Sequence, residues 1–493
     1  MRSPREQSAE ANAGHKRPNR KACAAGGEVG AVHSSEEGGN DAGAKGPHLI
    51  DGNSEAVDEA MAPETGIGTP TKVQQLQRTL YRKAKGDRRW RAWSLYGDLC
   101  RRDVLETALA SVVRNAGVAG VDGITTAEVK ATAAVFLDAL QADLRAKRYR
   151  PEPVLRVWIP KADGKQRPLG IPTVKDRIVQ MALLIVLQPI FEADFDDNSY
   201  GYRPGRNAHQ ALDAIRAALW KGKHEVIDAD LSGYFDSIDH AGLLRLVARR
   251  VSDGSILRLV KLFLKTPIIE ETDGKRHIRP NVRGTPQGGV ISPLLANLYL
   301  NGLDHGVNGN PALGATLVRY ADDFVLLCRP GNGSALYKRL KVYLHGKKLR
   351  LNETKTRVID VRNERFHFLG FEVSWRRSRN SGKAYPHVEP SRASRQRLRD
   401  AVRRELNHWT TGCSCVERMR VINRIIRGWG HYFHYANAAP SFVGLQDWLR
   451  KRLRQWLWKK YGRRLGYHTF FTNARLHGQY GLAKLPLYAP RTR

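Results

Sequence analysis

Hydrophobic and polar positions divide the chain into stretches of different period. Residues 1–70 lack a sustained apolar period, whereas apolar residues recur at helical spacing from residue 71 onward. Strand-like and helical runs then alternate to about residue 375, and the pattern is helical again after residue 390. In that last stretch, one apolar helix face is predicted by Leu445, Trp448, Leu449, Leu453, Trp456 and Leu457. The pattern therefore predicts an α+β body followed by a helical domain.

Two apolar runs enclose the sequence Tyr320-Ala321-Asp322-Asp323. The runs Leu317-Val318 and Phe324-Val325 are strand-like, so the stretch predicts a β-hairpin with the two acidic residues at its turn. Adjacent carboxylates at the end of an apolar hairpin repel each other unless a cation binds them. A divalent metal ion that also binds phosphates would remove this repulsion. A solvated Asp-Asp turn is the alternative, because aspartate is common in hairpin turns.

A second acidic strand lies upstream, where Asp228 and Asp230 follow an apolar run. Alternation places both side chains on one face of the strand, where acidic groups are rarely buried without a partner. If this strand lies beside the hairpin, Asp230 and Asp322 can hold two metal ions roughly 3.5–4 Å apart, as in two-metal phosphoryl transfer. Asp228 stays undecided. Asp236 and Asp239 fit a helix N-terminus and are left outside the predicted site.

In order and spacing, these motifs resemble the palm of the reverse transcriptases encoded by group II introns. The similarity extends from about residue 76 to about residue 460. Further matching blocks lie at residues 159–161, 167–172, 176–180, 199–209, 284–297 and 366–371. Any one block would be weak evidence, but so many in order are specific. The resemblance implies an α+β right-hand polymerase, with fingers and palm followed by a helical thumb and maturase domain.

The resemblance also implies roles for individual side chains. Catalysis and the binding of two Mg²⁺ ions fall to Asp230, Asp322 and Asp323, with the Leu231 backbone as a further metal ligand. The nucleotide-binding residues that it implies are Lys161, Arg167, Phe235, Gln287 and Lys355. Two cations on a hairpin suit a triphosphate, and an aromatic ring at Phe235 would clash with a ribose 2′-hydroxyl. The alternatives are a solvated basic turn for Lys161 and Arg167, a core aromatic for Phe235, and a helix-surface lysine for Lys355.

The C-terminal part of the chain combines positive charge with aromatic residues. Residues 420–433 resemble the maturase segment called domain X, which implies intron RNA contacts at Arg424, Arg427, Trp429 and Tyr432. The formal net charge is +34, and residues 391–493 contain 22 Lys and Arg against four Asp and Glu. Such a charge predicts a polyanionic partner, and interleaved aromatics suit RNA. A ribosomal or chromatin protein could share this charge. The alternative to RNA binding by the basic helix face is that it is simply exposed to solvent.

Other features bear on location and redox state. Residues 1–70 are rich in Gly, Ala, Ser and Glu and carry a net charge of −4, so we expect them to be disordered. No secretory signal and no run of about 18 apolar residues is visible, so no membrane partner is expected. Cys413 and Cys415 are expected to be thiols in a reducing bacterial cytoplasm, since a lone Cys-x-Cys pair is a poor zinc signature.

We divide the chain into segments on this basis. These are a disordered acidic extension at 1–70, an N-terminal helical and template-loop extension of the fingers at 71–140, the reverse transcriptase fingers and palm at 141–375, the thumb and maturase domain X at 376–465, and a short basic tail, with a possible DNA-binding remnant, at 466–493. The template loop is implied by the resemblance of residues 115–124 to an extra N-terminal block of such proteins. No cysteine follows Cys415, so an endonuclease of the Cys- and His-rich type is not expected.

The expected function is an RNA-directed DNA polymerase that also binds its group II intron RNA to promote splicing and mobility. The expected partners are this intron RNA, an RNA template with a DNA primer, target DNA and deoxynucleoside triphosphates. Two alternatives stay open: a splicing-only maturase, and a domesticated reverse transcriptase serving host defence or repair. Intact Asp230, Asp322 and Asp323 disfavour the first, and the maturase-like segment weakly disfavours the second.

Overall fold

The computed structural model describes residues 71–160, 166–272, 275–462 and 466–486. Residues 1–70, for which the sequence predicts disorder, lie outside this range. The N-terminal part is helical, with α1 (Thr71–Gly86), α2 (Tyr96–Leu99), α3 (Arg102–Arg114), α4 (Thr126–Ala131) and α5 (Ala133–Arg145). The next elements are β1 (Val154–Pro160), β2 (Gln166–Ile171), α6 (Val174–Glu192) and α7 (Ala208–Trp220).

The central part mixes short strands with helices. In chain order it contains β3 (Glu225–Ala229), α8 (Tyr234–Ser237), α9 (His240–Ala248), α10 (Gly254–Lys265), β4 (Ile268–Thr272), β5 (Lys275–Arg279), α11 (Ser292–Asn308), a 3₁₀ turn (Pro311–Leu313), β6 (Thr316–Tyr320), β7 (Asp323–Cys328), α12 (Gly333–Gly346), β8 (Arg357–Asp360), β9 (Phe366–Phe368), β10 (Phe371–Arg377) and β11 (Ala384–Pro390). The C-terminal part is helical, with α13 (Arg392–Glu405), a 3₁₀ turn (Trp409–Gly412), α14 (Cys415–Phe433), α15 (Ala439–Tyr461) and α16 (Asn473–His477).

The strands pair into separate sheets with the orders β2-β1-β4-β5, β6-β7-β3-β8 and β11-β10-β9. In the second sheet, β3 lies between β7 and β8 and runs antiparallel to both. Asp228 is paired with Val325 on one side and with Arg357 on the other. This register brings the end of β3 beside the β6–β7 turn, as the two acidic motifs require if they form one site.

Both faces of this palm sheet are buried, which explains the continuous apolar runs in its strands, such as Phe324–Cys328 of β7. One face lies in a core shared with α6 and α11, through Ile227, Leu317, Phe324 and Leu326. The opposite face lies in a core shared with α7 and the C-terminal helices, through Val226, Val318, Val325 and Leu327. Because the second core is continuous, palm and thumb are packed together rather than merely linked.

Residues 115–124 form the loop between α3 and α4, as their glycine content predicts. The Val118 carbonyl accepts a hydrogen bond from Arg177 Nη2 of α6. A Cβ atom added to Gly120 would lie 2.7 Å from Thr173 Cα, so a side chain would not fit there. The loop is therefore held against the start of α6, and its role over the template stays a prediction.

The described part of the segment predicted as a basic tail is packed against the thumb. Phe471, Leu476 and Leu485 are buried there. The backbone N–H of Leu485 donates to Gln446 Oε1 of α15 at 2.7 Å. The structure therefore contradicts the tail predicted for 466–486: these residues belong to the thumb, because apolar side chains too few to form a period still fill its surface grooves. Among the described helices, none has the length and apolarity needed to cross a bilayer.

A buried ion pair lies directly behind the β6–β7 turn. Arg319 of β6 is fully buried and contacts Asp304 of α11 through Nε at 2.8 Å and Nη2 at 2.5 Å. Its Nη1 donates to Asn297 Oδ1 and to the Ala321 carbonyl, each at 2.8 Å, and Nη2 also donates to Ser199 Oγ at 2.7 Å. All five N–H groups of the guanidinium are thus satisfied.

Replacing Asp304 by Leu should lower the free energy of unfolding by about 3–5 kcal/mol, because it leaves the buried Arg319 cation without its carboxylate. The double variant Asp304→Leu/Arg319→Met should recover part of that loss. Urea denaturation followed by circular dichroism measures both. The matched control is Glu106→Gln, which breaks the exposed Arg102–Glu106 pair and should change stability by less than about 1 kcal/mol. Equal effects of Asp304→Leu and Glu106→Gln would contradict this account.

Candidate active site

The β6–β7 hairpin predicted from the sequence is present, with Ala321 and Asp322 as its turn. Tyr320 pairs with Asp323 across the hairpin. Ala321 has a φ of 60°, in the left-handed region that residues other than glycine seldom adopt. Its carbonyl is fixed by Arg319, so the buried cation holds the turn in this conformation.

A second segment supports the turn from outside the sheet. Residues 198–201 run beside β6, where the Tyr200 N–H donates to the Arg319 carbonyl and the Arg319 N–H donates to the Asn198 carbonyl, each at 2.9 Å. A Cβ atom on Gly201 would collide with the backbone nitrogen of Ala321 and lie 2.9 Å from the Tyr320 carbonyl carbon. Glycine is needed here because two backbones approach this closely.

The structure brings Asp230, Asp322 and Asp323 together and adds Asp228. The pKa of Asp323 is raised to about 7, first by burial and then by the charges of Asp228, Asp322 and Asp230. Burial also raises the pKa of Asp322 and of Asp228. Asp228, left undecided from the sequence, forms an ion pair with Arg357 Nη2 at 3.4 Å. Its partner is therefore a side chain of the neighbouring strand β8.

Asp230 is bonded at the end of β3 by the segment that precedes β8. Lys355 Nζ lies 3.3 Å from its Oδ2, and Asn352 Nδ2 donates to the same oxygen at 3.1 Å. Lys355 lies in a turn, so the helix-surface alternative for it is wrong. The next residue, Leu231, is buried and bridges to Leu351. The predicted catalytic carboxylate and the predicted pyrophosphate-binding lysine are thus neighbours.

These side chains have the composition of a site for a hard divalent cation. Oxygen ligands are those that Mg²⁺ prefers, and neither Asp322 nor Asp323 forms an ion pair with a described residue, so their mutual repulsion is not neutralised. Across the described ranges, however, no three carboxylate, imidazole or thiolate groups are arranged to enclose an ion. One oxygen of Asp230, Oδ2, is also contacted by Lys355 and Asn352.

Among the predicted nucleotide-binding residues, Arg167 lies on the fingers and Gln287 on the loop after β5. Arg167 is exposed on β2, and its charge lowers the pKa of Asp322 against the dominant effect of burial. Lys161 lies outside the described residues. Gln287 is half-buried, and its carbonyl accepts a hydrogen bond from Gly170 N at 2.5 Å. This contact joins the fingers sheet to the palm loop.

Phe235 is half-buried, and its ring centroid lies 5.5 Å from that of Tyr234. Its carbonyl accepts a hydrogen bond from Thr285 N at 2.8 Å, on the same loop as Gln287. The ring is therefore held near the predicted nucleotide contact, although part of it packs on the core.

Asp236, which the sequence places outside the predicted site, lies next to the predicted nucleotide contact Gln287. Asp236 lies in α8, and Gln287 Nε2 donates to its Oδ2 at 3.4 Å. Burial raises the pKa of Asp236, and the cations Arg156 and Arg167 oppose that rise. By contrast, Asp239 caps α9, with its Oδ2 accepting from Gly242 N at 2.7 Å, as predicted. The sequence around Asp236 and Asp239 does not distinguish these two aspartates. The contact of Asp236 is made by Gln287, on a loop 51 residues further along the chain.

The four predicted RNA-binding residues on α14 fall on different sides of the helix. Arg424 and Arg427 are exposed. Trp429 Nε1 instead donates to the Ser394 carbonyl at 3.3 Å, and the Tyr432 hydroxyl donates to the Leu369 carbonyl at 3.0 Å. Both side chains are half-buried, and the RNA contacts predicted for them stay predictions. Their side chains belong to the packing between palm and thumb.

Two known families match successive parts of the chain. The family described as "Reverse transcriptase (RNA-dependent DNA polymerase)" matches residues 159–373, and "Group II intron, maturase-specific domain" matches residues 395–472. With the sheets described above, the first match confirms the α+β fingers and palm predicted from the sequence.

Individual relatives agree with the family matches. Protein YkfC of Escherichia coli (strain K12) is 37% identical over 304 residues, which cover 54% of this chain and 78% of that protein. The group II intron-encoded protein LtrA of Lactococcus lactis subsp. cremoris is 30% identical over 356 residues, which cover 59% of this chain and 58% of LtrA. A 91 kDa protein in the cob intron of Schizosaccharomyces pombe is 34% identical over 212 residues, covering 43% of this chain and 26% of that protein. The chain thus spans less than two thirds of the latter two proteins.

Replacing Gly201 by Ala should destabilise the protein by about 1–3 kcal/mol, since the added Cβ collides with the backbone of the turn. The matched control is Gly444→Ala, in the exposed interior of α15, where an added Cβ meets nothing within 4 Å. That change should stabilise by about 0.5–1 kcal/mol through helix propensity. Denaturant titration of both variants gives the comparison, and the same sign for both would refute the close approach at the turn.

Proposed function

The chain belongs to the reverse transcriptases encoded by group II introns, and we propose on this premise that it extends a DNA primer on an RNA template. The observation that carries the proposal is the meeting of Asp230, Asp322 and Asp323 at one end of the palm sheet. The exposed Arg167 of the fingers is close enough to this cluster for its charge to lower the pKa of Asp322, against the larger effect of burial. Acidic groups beside a cation suit the phosphates of a nucleotide with its metal ions.

Each residue of the site has a role in this reaction. Asp230, Asp322 and Asp323, with the Leu231 carbonyl, would hold two Mg²⁺ ions, which when bound stabilise charge on the attacking and leaving oxygens. Arg167 and Lys161 would bind the triphosphate, and Lys355, beside Asp230, would neutralise the leaving pyrophosphate. The Phe235 ring would exclude a 2′-hydroxyl, and Gln287 would contact the incoming nucleotide.

We also propose that the thumb binds the intron RNA to promote splicing and mobility. Arg420, Arg424, Arg427 and His431 recur at i, i+4, i+7 and i+11 and are exposed on one side of α14. None of the three arginines forms an ion pair with a described residue, so their charge is available to phosphates. The predicted division into fingers and palm at 141–375 and thumb at 376–465 is kept, with residues 466–486 added to the thumb.

The alternatives differ from this proposal in what they require of the palm. A splicing-only maturase has no need of carboxylates crowded enough to raise the pKa of Asp323 to about 7. Such crowding is unfavourable for folding and is retained where function uses it. A domesticated enzyme of host defence or repair would keep the polymerase site without the RNA-binding face of α14. Intron RNA binding therefore discriminates that alternative from our proposal.

Asp322→Asn should reduce primer extension by about 10²–10³-fold or more, by analogy with the loss of one electrostatic group at a reacting centre. Extension is measured on an RNA template with deoxynucleotides and Mg²⁺. The control is Asp138→Asn, an exposed aspartate on α5, which should extend the primer as the wild type does. Thermal unfolding checks that both variants are folded. Full activity of Asp322→Asn would refute the proposed site.

Arg427→Ala should weaken binding of the intron RNA and lower the slope of log K against log salt by about 1, as expected for one lost phosphate contact. Extension on a short unstructured template should be unchanged. The control is Arg339→Ala, an exposed arginine on α12 of the palm, which should leave intron binding intact. Equal losses in binding and extension for Arg427→Ala would count against a separate RNA-binding face.

A further inference from the structure

Tyr202 adopts an unusual backbone conformation beside the catalytic turn. Its φ is 57°, although a bulky residue in the left-handed region is strained, and its side chain is 59% exposed. Because the ring is largely exposed, its packing offsets little of the backbone strain energy. Glycine or asparagine would adopt this conformation at lower energy.

The residues on either side of Tyr202 impose this conformation. The Gly201 carbonyl accepts a hydrogen bond from Asn297 Nδ2 at 2.7 Å. The Arg203 side chain is buried, with Nη2 2.6 Å from Glu192 Oε1 and Nη1 2.5 Å from the Ser199 carbonyl. Because both neighbours are anchored, Tyr202 cannot relax, and it stays exposed beside the catalytic turn.

Tyr202 and Lys355 lie on opposite sides of the catalytic carboxylates. The sheet order is β6-β7-β3-β8, with Tyr202 next to the β6 edge and Lys355 next to β8. The charged groups that act on the Tyr202 hydroxyl are Asp322 of the palm and Arg167 of the fingers. If the leaving pyrophosphate is bound near Lys355, the side of the carboxylates next to Tyr202 is left for the end of the nucleic acid.

We propose that Tyr202 is a substrate-positioning residue whose ring packs against the terminal base pair of the primer–template duplex. This inference rests on the proposed polymerase function. An aromatic ring can pack against any base or sugar, so it suits an enzyme that copies every sequence. The imposed backbone conformation keeps the ring in place, which explains why a strained tyrosine lies where glycine would be more stable.

The test compares substitutions at two positions with the same backbone conformation. Tyr202→Gly removes both the ring and the strain, whereas Tyr202→Phe keeps the ring. The matched control is Lys147→Gly, because Lys147 also has a φ of 57° and is exposed after α5. The measurements are the melting temperature, the Kd for a primer–template duplex, and kcat and KM for primer extension.

Tyr202→Gly should weaken duplex binding about tenfold, the effect expected from losing one base–aromatic contact, and raise KM for the duplex by a similar factor. Its melting temperature should not fall below that of the wild type, as for Lys147→Gly. Tyr202→Phe and Lys147→Gly should bind the duplex within about twofold of the wild type, since neither loses the ring. Should Tyr202→Gly fold poorly, Tyr202→Asn supplies a second variant without the ring that tolerates a positive φ.

Wild-type Kd and KM in Tyr202→Gly would overturn the proposal. Equal impairment of Tyr202→Phe and Tyr202→Gly would overturn it as well, because the hydroxyl and not the ring would then be responsible. A wild type that binds the duplex without extending the primer would contradict the proposed polymerase function instead. The comparison of Kd values would still decide the role of Tyr202.

Discussion

The guanidinium of Arg319 is the interaction on which the geometry of the active site depends. It connects α11 through Asp304 and Asn297, the segment beside β6 through Ser199, and the catalytic turn through the Ala321 carbonyl. Burying a cation carries a large desolvation penalty, which is offset here by a carboxylate and a full set of acceptors. A buried ion pair is weak evidence for stability as such. Its main effect here is to specify one conformation, since all five donors are satisfied only when these segments lie together.

The catalytic end of the palm is held in an unfavourable state by the rest of the sheet. Two apolar cores bury both faces of the strands, and four carboxylates nevertheless cluster at the end of β3 and at the β6–β7 turn. There Asp323 is buried among like charges, Ala321 has a positive φ, and Gly201 leaves no room for a side chain. None of these features favours folding. All of them lie within a few residues of the atoms that would bind metal ions, where strain is retained because function requires the geometry.

The sequence was sufficient where the determinants of structure are local, and insufficient where they are not. The hairpin, the acidic strand and the Asp239 cap follow from short-range periodicity and turn chemistry. Asp236 was excluded because its contact with Gln287 exists only after a distant loop folds over α8. The segment 466–486 was predicted as a tail because its few apolar residues form no periodic pattern of their own. They are buried only by packing against the thumb helices. Lys355 lies in a turn and contacts Asp230, which is far away in the sequence. The residues around Lys355 therefore do not reveal this contact.

The two faces of α14 contact different surroundings, a difference that the predicted RNA contacts at Arg424, Arg427, Trp429 and Tyr432 do not take into account. The buried residues Met419, Ile422, Ile426, Gly430 and Phe433 recur at spacings of three and four, and this period places Trp429 against the core and Arg427 in solvent. Basic and aromatic composition alone cannot make that distinction, because it disregards the face on which each residue lies. Burial is the main cause that raises the pKa of Tyr432, and Tyr320 and Asp323 add to that rise. The inner side of α14 thus packs on the palm while its outer side presents arginines, so substitutions on the outer side are the ones that can separate RNA binding from polymerisation.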